Sequence, residues 1–337
     1  MRSSKAMEAP PKRRRVLSKP LPAEGDGGLF SQSWFPICMS REVPRQGVLG
    51  TTFLDGRVVV FRGEDGIAQV VSAFCPHLGA DLGQGSVVGN NLRCPFHQWQ
   101  FDGEGACVQT GCGDPVPRAA GLFKFPTAER YGLVWAFNGD EPLFDLPSFP
   151  YPDDELEFHI EEHEDILPVD PWVICCNTPD VQHIKVVHGF VFDQGDPTET
   201  MVWTPYSMRY HFNGLHPTGL RVEFDVGIDG TSIFYQSSIF QGQWYGYIAP
   251  FGLPRPGHTR IYYVIAVRKS EGDAASRKAL IDFAMTTQRG ILADDYPVLK
   301  HAHFKPGQLT QTDRGLAKFF DYLRSYPRAH PSVDFLR

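Results

Sequence analysis

Short hydrophobic segments separated by glycine-containing turns fill the chain from residue 33 to about residue 144. Residues 57–62 and 132–137 are examples, because each is rich in valine and aromatic side chains and has a glycine at or just before its start. Hydrophobic runs of this kind between turn residues are typical of β-strands. The pattern predicts a small all-β domain in this part of the chain.

A proline-rich segment, residues 142–152, follows this region and predicts a junction between two domains. Beyond it the hydrophobic segments are longer and partly alternating, which indicates strands of a large antiparallel sheet. These segments are residues 232–240, 243–248 and 260–268.

Helical patterns follow the predicted sheet. One helix is expected over about 274–294. In a second, apolar residues recur at i, i+3, i+4 and i+7, namely Leu316, Phe319, Phe320 and Leu323. The fold class is therefore α+β, with an all-β domain at 29–145 and a second domain at 146–337. Residues 1–28, which include the basic run 12–15, are rich in proline and charge, and we expect a disordered tail there.

Composition narrows the classes of protein. The 337 residues are 42% hydrophobic, which suffices for buried cores, and no apolar run is long enough to span a membrane. A net charge of −7 argues against nucleic-acid binding. Seven cysteines, an odd number, suit metal ligation in a reducing compartment better than a disulfide framework. We therefore expect a cytoplasmic protein.

Two short cysteine-histidine pairs carry the clearest chemistry. Cys75 and His77 are separated by one proline, and Cys94 and His97 follow sixteen residues after His77. Two thiolates can hold one iron of a [2Fe-2S] cluster and two imidazoles the other. The alternative is a structural zinc site, which also uses two cysteines and two histidines. Zinc fingers place two cysteines before two histidines, whereas each half is mixed here, which favours the cluster.

The two loops resemble the ligand loops of Rieske proteins, with Cys-Pro-His-Leu-Gly at 75–79 and Cys-Pro-Phe-His at 94–97. Respiratory and photosynthetic Rieske proteins carry an additional cysteine in each loop, and those positions are Ala80 and Phe96 in this chain. The resemblance is therefore to oxygenase-type Rieske domains. It implies that the four cysteines and histidines bind a [2Fe-2S] cluster.

A second motif runs from Asn177 to Gly189 and resembles the mononuclear iron segment of Rieske non-heme iron oxygenases. His183 and His188 would be two ligands of Fe(II), and Asn177 is a further candidate catalytic residue. Five residues at about 100° each place the two rings about 140° apart on a regular helix, so the segment must bend or bulge. An isolated pair of this spacing would more simply be two unrelated histidines on a helix, and the Rieske motif upstream favours the iron site.

The third iron ligand would be an acidic residue near the C-terminus of the chain, according to the same resemblance. Residues 291–299 match that site, and Asp295 fits the pattern better than Asp294 because apolar residues stand at +3 and +4. Two imidazoles and one carboxylate on one face of Fe(II) leave positions open for dioxygen and substrate. Asp294 is expected to be solvated or a cap.

Asp180 lies three residues before His183 and so on the same helical face. The resemblance implies that it links the mononuclear site to His97 of a neighbouring subunit in a homotrimer, as an electron-transfer bridge. The alternative is a carboxylate that stabilises a helix N-terminus, and the two roles are compatible.

The resemblance implies a helix-grip catalytic domain and a terminal oxygenase. Such an enzyme receives electrons from a reductase, directly or through a ferredoxin, and uses O2 to hydroxylate, demethylate or desaturate an apolar small molecule. The likeness is greater to single-chain monooxygenases than to two-subunit dioxygenases. Aromatic residues on the predicted sheet are candidates for the cavity wall or for ordinary core packing: Tyr235, Phe240, Trp244, Tyr245 and Tyr247.

A different class of function is a Rieske electron carrier fused to a ligand-binding domain. Such a protein would need only the four cluster ligands. The presence of Asp180, His183, His188 and a downstream carboxylate favours the oxygenase.

Overall fold

The computed structural model of this chain describes residues 19–216, 218–305 and 307–336. The basic run 12–15 and most of the predicted tail lie outside these residues. Within the described ranges, no helix has the length and apolarity required to cross a membrane.

The first domain consists of short antiparallel strands joined by turns. They are β1 (Phe30–Ser31), β2 (Trp34–Met39), β3 (Val48–Phe53), β4 (Gly56–Arg62), β5 (Ala68–Ser72), β6 (Ser86–Val88), β7 (Asn91–Arg93), β8 (Gln100–Phe101), β9 (Cys107–Gln109), β10 (Lys124–Phe125), β11 (Thr127–Arg130) and β12 (Leu133–Phe137). The predicted strands at 57–62 and 132–137 correspond to β4 and β12.

In the described part of the chain, strands β2 to β12 form three sheets of this domain, with strand orders β10-β5-β4-β3, β11-β12-β2 and β6-β7-β8-β9. The first cysteine-histidine loop lies between β5 and β6, and the second connects β7 to β8. Both loops therefore enter or leave strands of the same small sheet, which positions them next to each other.

The second domain is built on one large antiparallel sheet. Its strands are β13 (Leu156–Glu162), β14 (Val191–Phe192), β15 (Val202–Trp203), β16 (Ser207–Leu215), β17 (Arg221–Asp229), β18 (Ile233–Phe240), β19 (Gln243–Arg255) and β20 (His258–Arg268). Their order in the sheet is β13-β20-β19-β18-β17-β16-β14, and β15 also pairs with β16.

Four α-helices accompany this sheet among the described residues, and the longest packs on β19 and β20. They are α1 (Pro171–Cys175), α2 (Val181–Val186), α3 (Ala274–His301) and α4 (Arg314–Ser325). The predicted fold class, an all-β domain followed by a helix-covered antiparallel sheet, is confirmed.

The central strands of the large sheet are buried on both faces. Alternate side chains of β20 enter two different cores, as the period of two in a strand requires. One set packs against Trp135 of the first domain and consists of Tyr262, Val264 and Ala266. The other set packs beneath the helices and consists of Tyr263, Ile265 and Val267. Double burial explains why this strand is hydrophobic almost throughout rather than at every second residue.

Helix α3 continues to His301, seven residues beyond its predicted end at residue 294. The prediction was short because Pro297 has no N–H to donate and usually ends or kinks a helix. In this chain the helix continues past the proline, and the buried side chain of Leu299 packs in the core of the second domain. Asp295 therefore lies inside the helix rather than beyond it.

The two domains are joined by more than the proline-rich segment. Strand β1 pairs with β21 (Arg328–Ala329), and the carbonyl of Leu336 accepts from the backbone N–H of Arg57 at 3.3 Å. Leu336 is buried in the core of the first domain. Residues 328–336 therefore complete the first domain, which was predicted to span residues 29–145.

The predicted tail is also too long at its C-terminal end. Glu24 is buried, and its carboxylate accepts from the backbone N–H of Ser31 at 2.9 Å and from the Ser31 hydroxyl at 2.6 Å. Its own backbone N–H donates to Asp170 in the second domain. Burial raises the pKa of Glu24 to about 6, although Arg328 and Ser31 oppose the shift. The residues around Glu24 thus belong to the folded protein.

The raised pKa of Glu24 predicts a stability that decreases with pH. The folded state holds the Glu24 proton more tightly than the unfolded state, so this contribution is present below pH 4.5 and lost as pH rises through about 6. A shift of this size corresponds to about 2 kcal/mol. Glu24→Gln keeps a neutral hydrogen-bonding group, and we expect its apparent melting temperature relative to wild type to be a few degrees higher at pH 8 than at pH 4.5.

Thermal unfolding followed at both pH values measures this effect. The exposed Glu141→Gln is the matched control and should show no such difference. A Glu24→Gln curve that follows wild type at both pH values would contradict the assignment.

Candidate metal centres and substrate cavity

The two cysteine-histidine loops are closed by backbone hydrogen bonds. In the first, the N–H of Cys75 donates to Ala80 at 2.9 Å and the N–H of Gly79 donates back to Cys75 at 2.8 Å. Gly79 has a φ of +74°, a conformation that favours glycine. In the second, the N–H of Cys94 donates to Trp99 at 2.8 Å. The backbone of each cysteine is thus held in place where its loop begins.

The loops bring their four candidate ligands together in two layers. Cys75 and Cys94 are buried beside each other, and the rings of His77 and His97 lie toward the surface with centroids 4.6 Å apart. The ring of Trp99 stacks on His77 at 4.5 Å. Two thiols inside and two imidazoles outside match the donor set of a [2Fe-2S] cluster with mixed ligation.

The buried thiols support this fit on electrostatic grounds. Burial, with Cys94 close by, raises the pKa of Cys75 to about 11. A thiolate at this depth therefore requires a positive partner, and a bound metal deprotonates a coordinating thiol outright. A bound iron would supply that positive charge.

The mononuclear segment depends on where α2 begins and ends. Asp180 is the N-cap residue, and its Oδ1 accepts from the backbone N–H of His183 at 3.0 Å. The helix ends at Val186, and Gly189 has a φ of +66°. His188 therefore lies beyond the helix, and its ring centroid is 4.6 Å from that of His183. The bend or bulge expected between His183 and His188 is thus the end of a short helix.

Asp295 of α3 completes a group of three convergent donors. The Nε2 atoms of His183 and His188 lie 3.2 and 3.3 Å from its Oδ1, and one donor atom from each residue lies within 4.8 Å of the others. The buried atoms Nε2 of His183 and Oδ1 of Asp295 have no hydrogen-bond partner among the described residues. Orphaned donors of this kind suit a divalent cation, and the set matches a two-histidine, one-carboxylate iron site.

The charges at this centre are strongly coupled. Burial by itself would raise the pKa of Asp295, but His183 and His188 lower it to about 2. Burial likewise would lower the pKa of His188, and Asp295 and Asp294 raise it instead. The carboxylate is thus held ionised beside two imidazoles, the state in which it can bind a metal.

Neighbouring side chains hold these donors in place. Asn177 donates from Nδ2 to Oδ2 of Asp295 at 3.1 Å, leaving Oδ1 directed at the histidines. Asp294 is more exposed, and its Oδ2 lies 3.5 Å from Nδ1 of His188, too far for a good hydrogen bond. The structure therefore places Asp295 in the group of three and Asp294 behind one of its rings.

A cavity opens from the three donors into the second domain, with about 890 Å³ of empty volume including its mouth. Of the aromatic residues singled out in the sequence, Tyr247 lines it. Tyr235 and Trp244 instead pack toward the first domain, and Phe240 stacks on Phe283 outside the lining.

Most of the aromatic wall was not predicted from the sequence. It comes from β16, β17, β18 and β19 and from the segment after His188, and it consists of Phe190, Tyr210, Phe212, Phe224, Phe234 and Phe251. Clean alternation of apolar and polar residues in 207–215 and 221–226 was the signal that could have identified two of these strands.

Known proteins resemble parts of this chain in sequence. The family model for the Rieske [2Fe-2S] domain matches residues 33–125. Cholesterol 7-desaturase of Bombyx mori is 34% identical over 169 residues, which are 48% of this chain and 36% of the relative. Aminopyrrolnitrin oxygenase PrnD of Pseudomonas fluorescens is 34% identical over 175 residues, which are 48% of this chain and 46% of the relative. The chain spans less than half the length of these curated relatives.

The fold also matches a solved structure. The NdmA QL mutant of Pseudomonas putida CBB5, solved with theobromine, superimposes with a TM-score of 0.67 at 22% identity, covering 86% of this chain and 89% of that one. At this identity the likeness establishes a common fold.

The geometry predicts different outcomes at the adjacent aspartates. Wild-type protein should contain roughly three irons per chain, two in the cluster and one mononuclear. Asp295→Asn should lose about one of them and keep the cluster absorbance, because it removes a buried anionic donor. Asp294→Asn should weaken mononuclear iron binding no more than about tenfold, the lower end for a group behind a ligand. Iron analysis with visible spectra checks both, and loss of the third iron only in Asp294→Asn would reverse the assignment.

A separate pair of variants tests the cluster loops. His77→Ala and His97→Ala should each abolish the Rieske optical and EPR signature, because an imidazole ligand of iron is removed. Leu78→Ala alters an exposed side chain of the same loop and should leave the spectrum unchanged. An intact signature in both histidine variants would refute the ligand set.

Proposed function

We propose that this chain, which belongs to the Rieske non-heme iron oxygenase family, is a terminal oxygenase acting on an apolar small molecule. One observation carries the proposal: the three buried donors His183, His188 and Asp295 open directly into an apolar cavity. A chain that only relayed electrons would not need a second metal site in contact with an apolar cavity.

The residues divide the work. Cys75, His77, Cys94 and His97 would hold the [2Fe-2S] cluster, and the three donors in the second domain would hold Fe(II). When bound, these groups supply single electrons and activate dioxygen for transfer to the substrate. Asn177 keeps Oδ1 of Asp295 directed at the metal site by binding the other oxygen. The cavity orients the substrate and excludes water. The reaction of the enzyme is hydroxylation, demethylation or desaturation of that substrate.

Exposed apolar side chains surround the cluster histidines. Leu78 is 67% exposed and Phe96 is 61% exposed, each beside a candidate ligand. Apolar side chains at such a position suit docking of another protein. We assign two partners to this face at different stages: an electron donor, which is a reductase alone or with a ferredoxin, and a neighbouring subunit.

Asp180 is the candidate link between subunits. It uses Oδ1 to cap α2, whereas Oδ2 has no hydrogen-bond partner in the part of the chain that the structure describes. In those residues, no hydrogen bond or ion pair joins Asp180 to His77 or His97. Exposed valines lie near it, Val186 being 80% exposed. A head-to-tail cyclic trimer would set the cluster loops of one subunit on this face of the next.

The alternative function, an electron carrier with a ligand-binding domain, needs two irons rather than three.

The cytoplasm is the compartment we propose, since all seven cysteines are free thiols.

The bridge predicts a specific loss in Asp180→Asn. This variant retains a side-chain oxygen for the cap of α2 but removes the charge and one acceptor. Both metals and the trimer should persist, whereas reoxidation of the pre-reduced cluster by dioxygen should slow at least about tenfold. Asp273→Asn, at the N-cap of α3, is the control and should reoxidise at the wild-type rate. Wild-type reoxidation in Asp180→Asn would exclude the bridge.

Mixed trimers test the route between subunits. His97→Ala subunits lack the cluster and Asp295→Asn subunits lack the mononuclear iron, so neither is active alone. Reassembled together they should regain turnover, because the cluster of one subunit then faces the iron of the next. Inactive mixtures, or a fully active monomer, would overturn this assembly.

A further inference from the structure

A buried chain of polar side chains stands at the far end of the cavity. Gln236 on β18 donates from Nε2 to the hydroxyls of Ser238 at 2.8 Å and Tyr245 at 3.2 Å. Its Oε1 faces Nε2 of Gln288 at 3.5 Å. All four side chains are buried, yet only the two glutamines line the cavity.

This group of four polar side chains leaves one hydrogen-bond acceptor without a partner. Both hydrogens of the Gln236 amide are occupied, and the Gln288 amide nitrogen faces Gln236. Oε1 of Gln288 has no hydrogen-bond partner among the residues that the structure describes, although the side chain is only 4% exposed. This oxygen is not among the fully buried atoms of the described residues that lack a partner. It therefore retains access to the cavity that Gln288 lines, and it can accept a hydrogen bond from a bound molecule.

Helix α3 places this acceptor at a defined distance from the metal site. Gln288 and Asp295 are seven residues apart and therefore lie on the same face, about 10 Å apart along the helix axis. Ile291 and Leu292 line the cavity between them. The helix thus presents an acceptor at one end, an apolar stretch in the middle and the metal donors at the other end.

The charge of the wall restricts the ligand further. None of the described residues lining the cavity is a lysine or an arginine, so an anionic group bound away from the metal site would find no positively charged side chain when it leaves water. The only ionisable side chains in the wall, apart from the tyrosines, are the three metal donors.

We propose that Gln288 is a specificity-determining residue that binds a neutral O–H or N–H group of the substrate at the end opposite the reacting carbon. The substrate class is a neutral, mainly apolar ring compound, at least as long as a fused bicycle, with a hydrogen-bond donor at one end. This inference rests on the proposed function for the meaning of the reacting end. The binding of the donor group itself does not.

Equilibrium binding of three probes to the iron-loaded protein at pH 7 tests the proposal. They are 6-methyl-2-naphthol, its methyl ether and 6-methyl-2-naphthoate, which present a donor, no donor and an anion on the same ring. Wild type should bind the naphthol about tenfold or more tightly than either of the others, the ratio that one neutral hydrogen bond in a buried site supports.

Gln288→Met has nearly the same volume but no acceptor, and it should bind the naphthol about as weakly as the ether. Thr287→Val, a neighbour that does not line the cavity, should retain the preference. If wild type shows no preference for the naphthol, or Gln288→Met keeps it, or the naphthoate binds most tightly, the inference is overturned.

A separate measurement tests the proposed oxygenase function. With the naphthol bound and a chemical reductant and dioxygen supplied, oxygenase activity should oxidise the methyl end of the ring. Selective binding without any oxygenated product would contradict the oxygenase and leave the Gln288 site standing.

Discussion

A carboxylate buried beside two imidazoles, with no hydrogen-bond partner for the oxygen that faces them, is the constraint on which the second domain depends. Such a group costs several kcal/mol unless a charge compensates it. The backbone around it is arranged accordingly: α2 stops after six residues so that His188 can reach His183, and α3 continues through Pro297 so that Asp295 is held rigidly. Iron binding and the stability of this region are therefore linked.

The same constraint explains what the sequence could and could not predict. The spacing of Cys75, His77, Cys94 and His97 indicated the first candidate centre, because ligands of one cluster lie in two short loops. The second centre followed from the resemblance of residues 177–189 and 291–299 to an oxygenase motif, because the spacing of His183 and His188 alone favours two unrelated histidines. Hydrophobic periodicity predicted β4, β12 and α4 closely. The continuation of α3 was not predictable from local rules, because Pro297 opposes a helix locally and only the packing of Leu299 reveals the gain.

Residues that act across the cavity were the hardest to predict. Gln236 and Gln288 are ordinary polar residues in a strand and a helix, and their pairing depends on how α3 crosses the sheet. The aromatic residues of β18 and β19 were ambiguous for a related reason. A strand buried on both faces sends neighbouring side chains into different cores. Tyr247 on β19 therefore reaches the cavity, whereas Tyr235 on β18 lies on the opposite face of the sheet and packs toward the first domain.

The pairing of β1 with β21 bears on how the protein is made. The first domain includes Leu336 in its core and strand β21 on its edge, although its cluster loops are translated some 230 residues earlier. On the ribosome those loops emerge long before the segment that completes their domain. Insertion of a cluster into the completed first domain would therefore follow synthesis of residues 328–336.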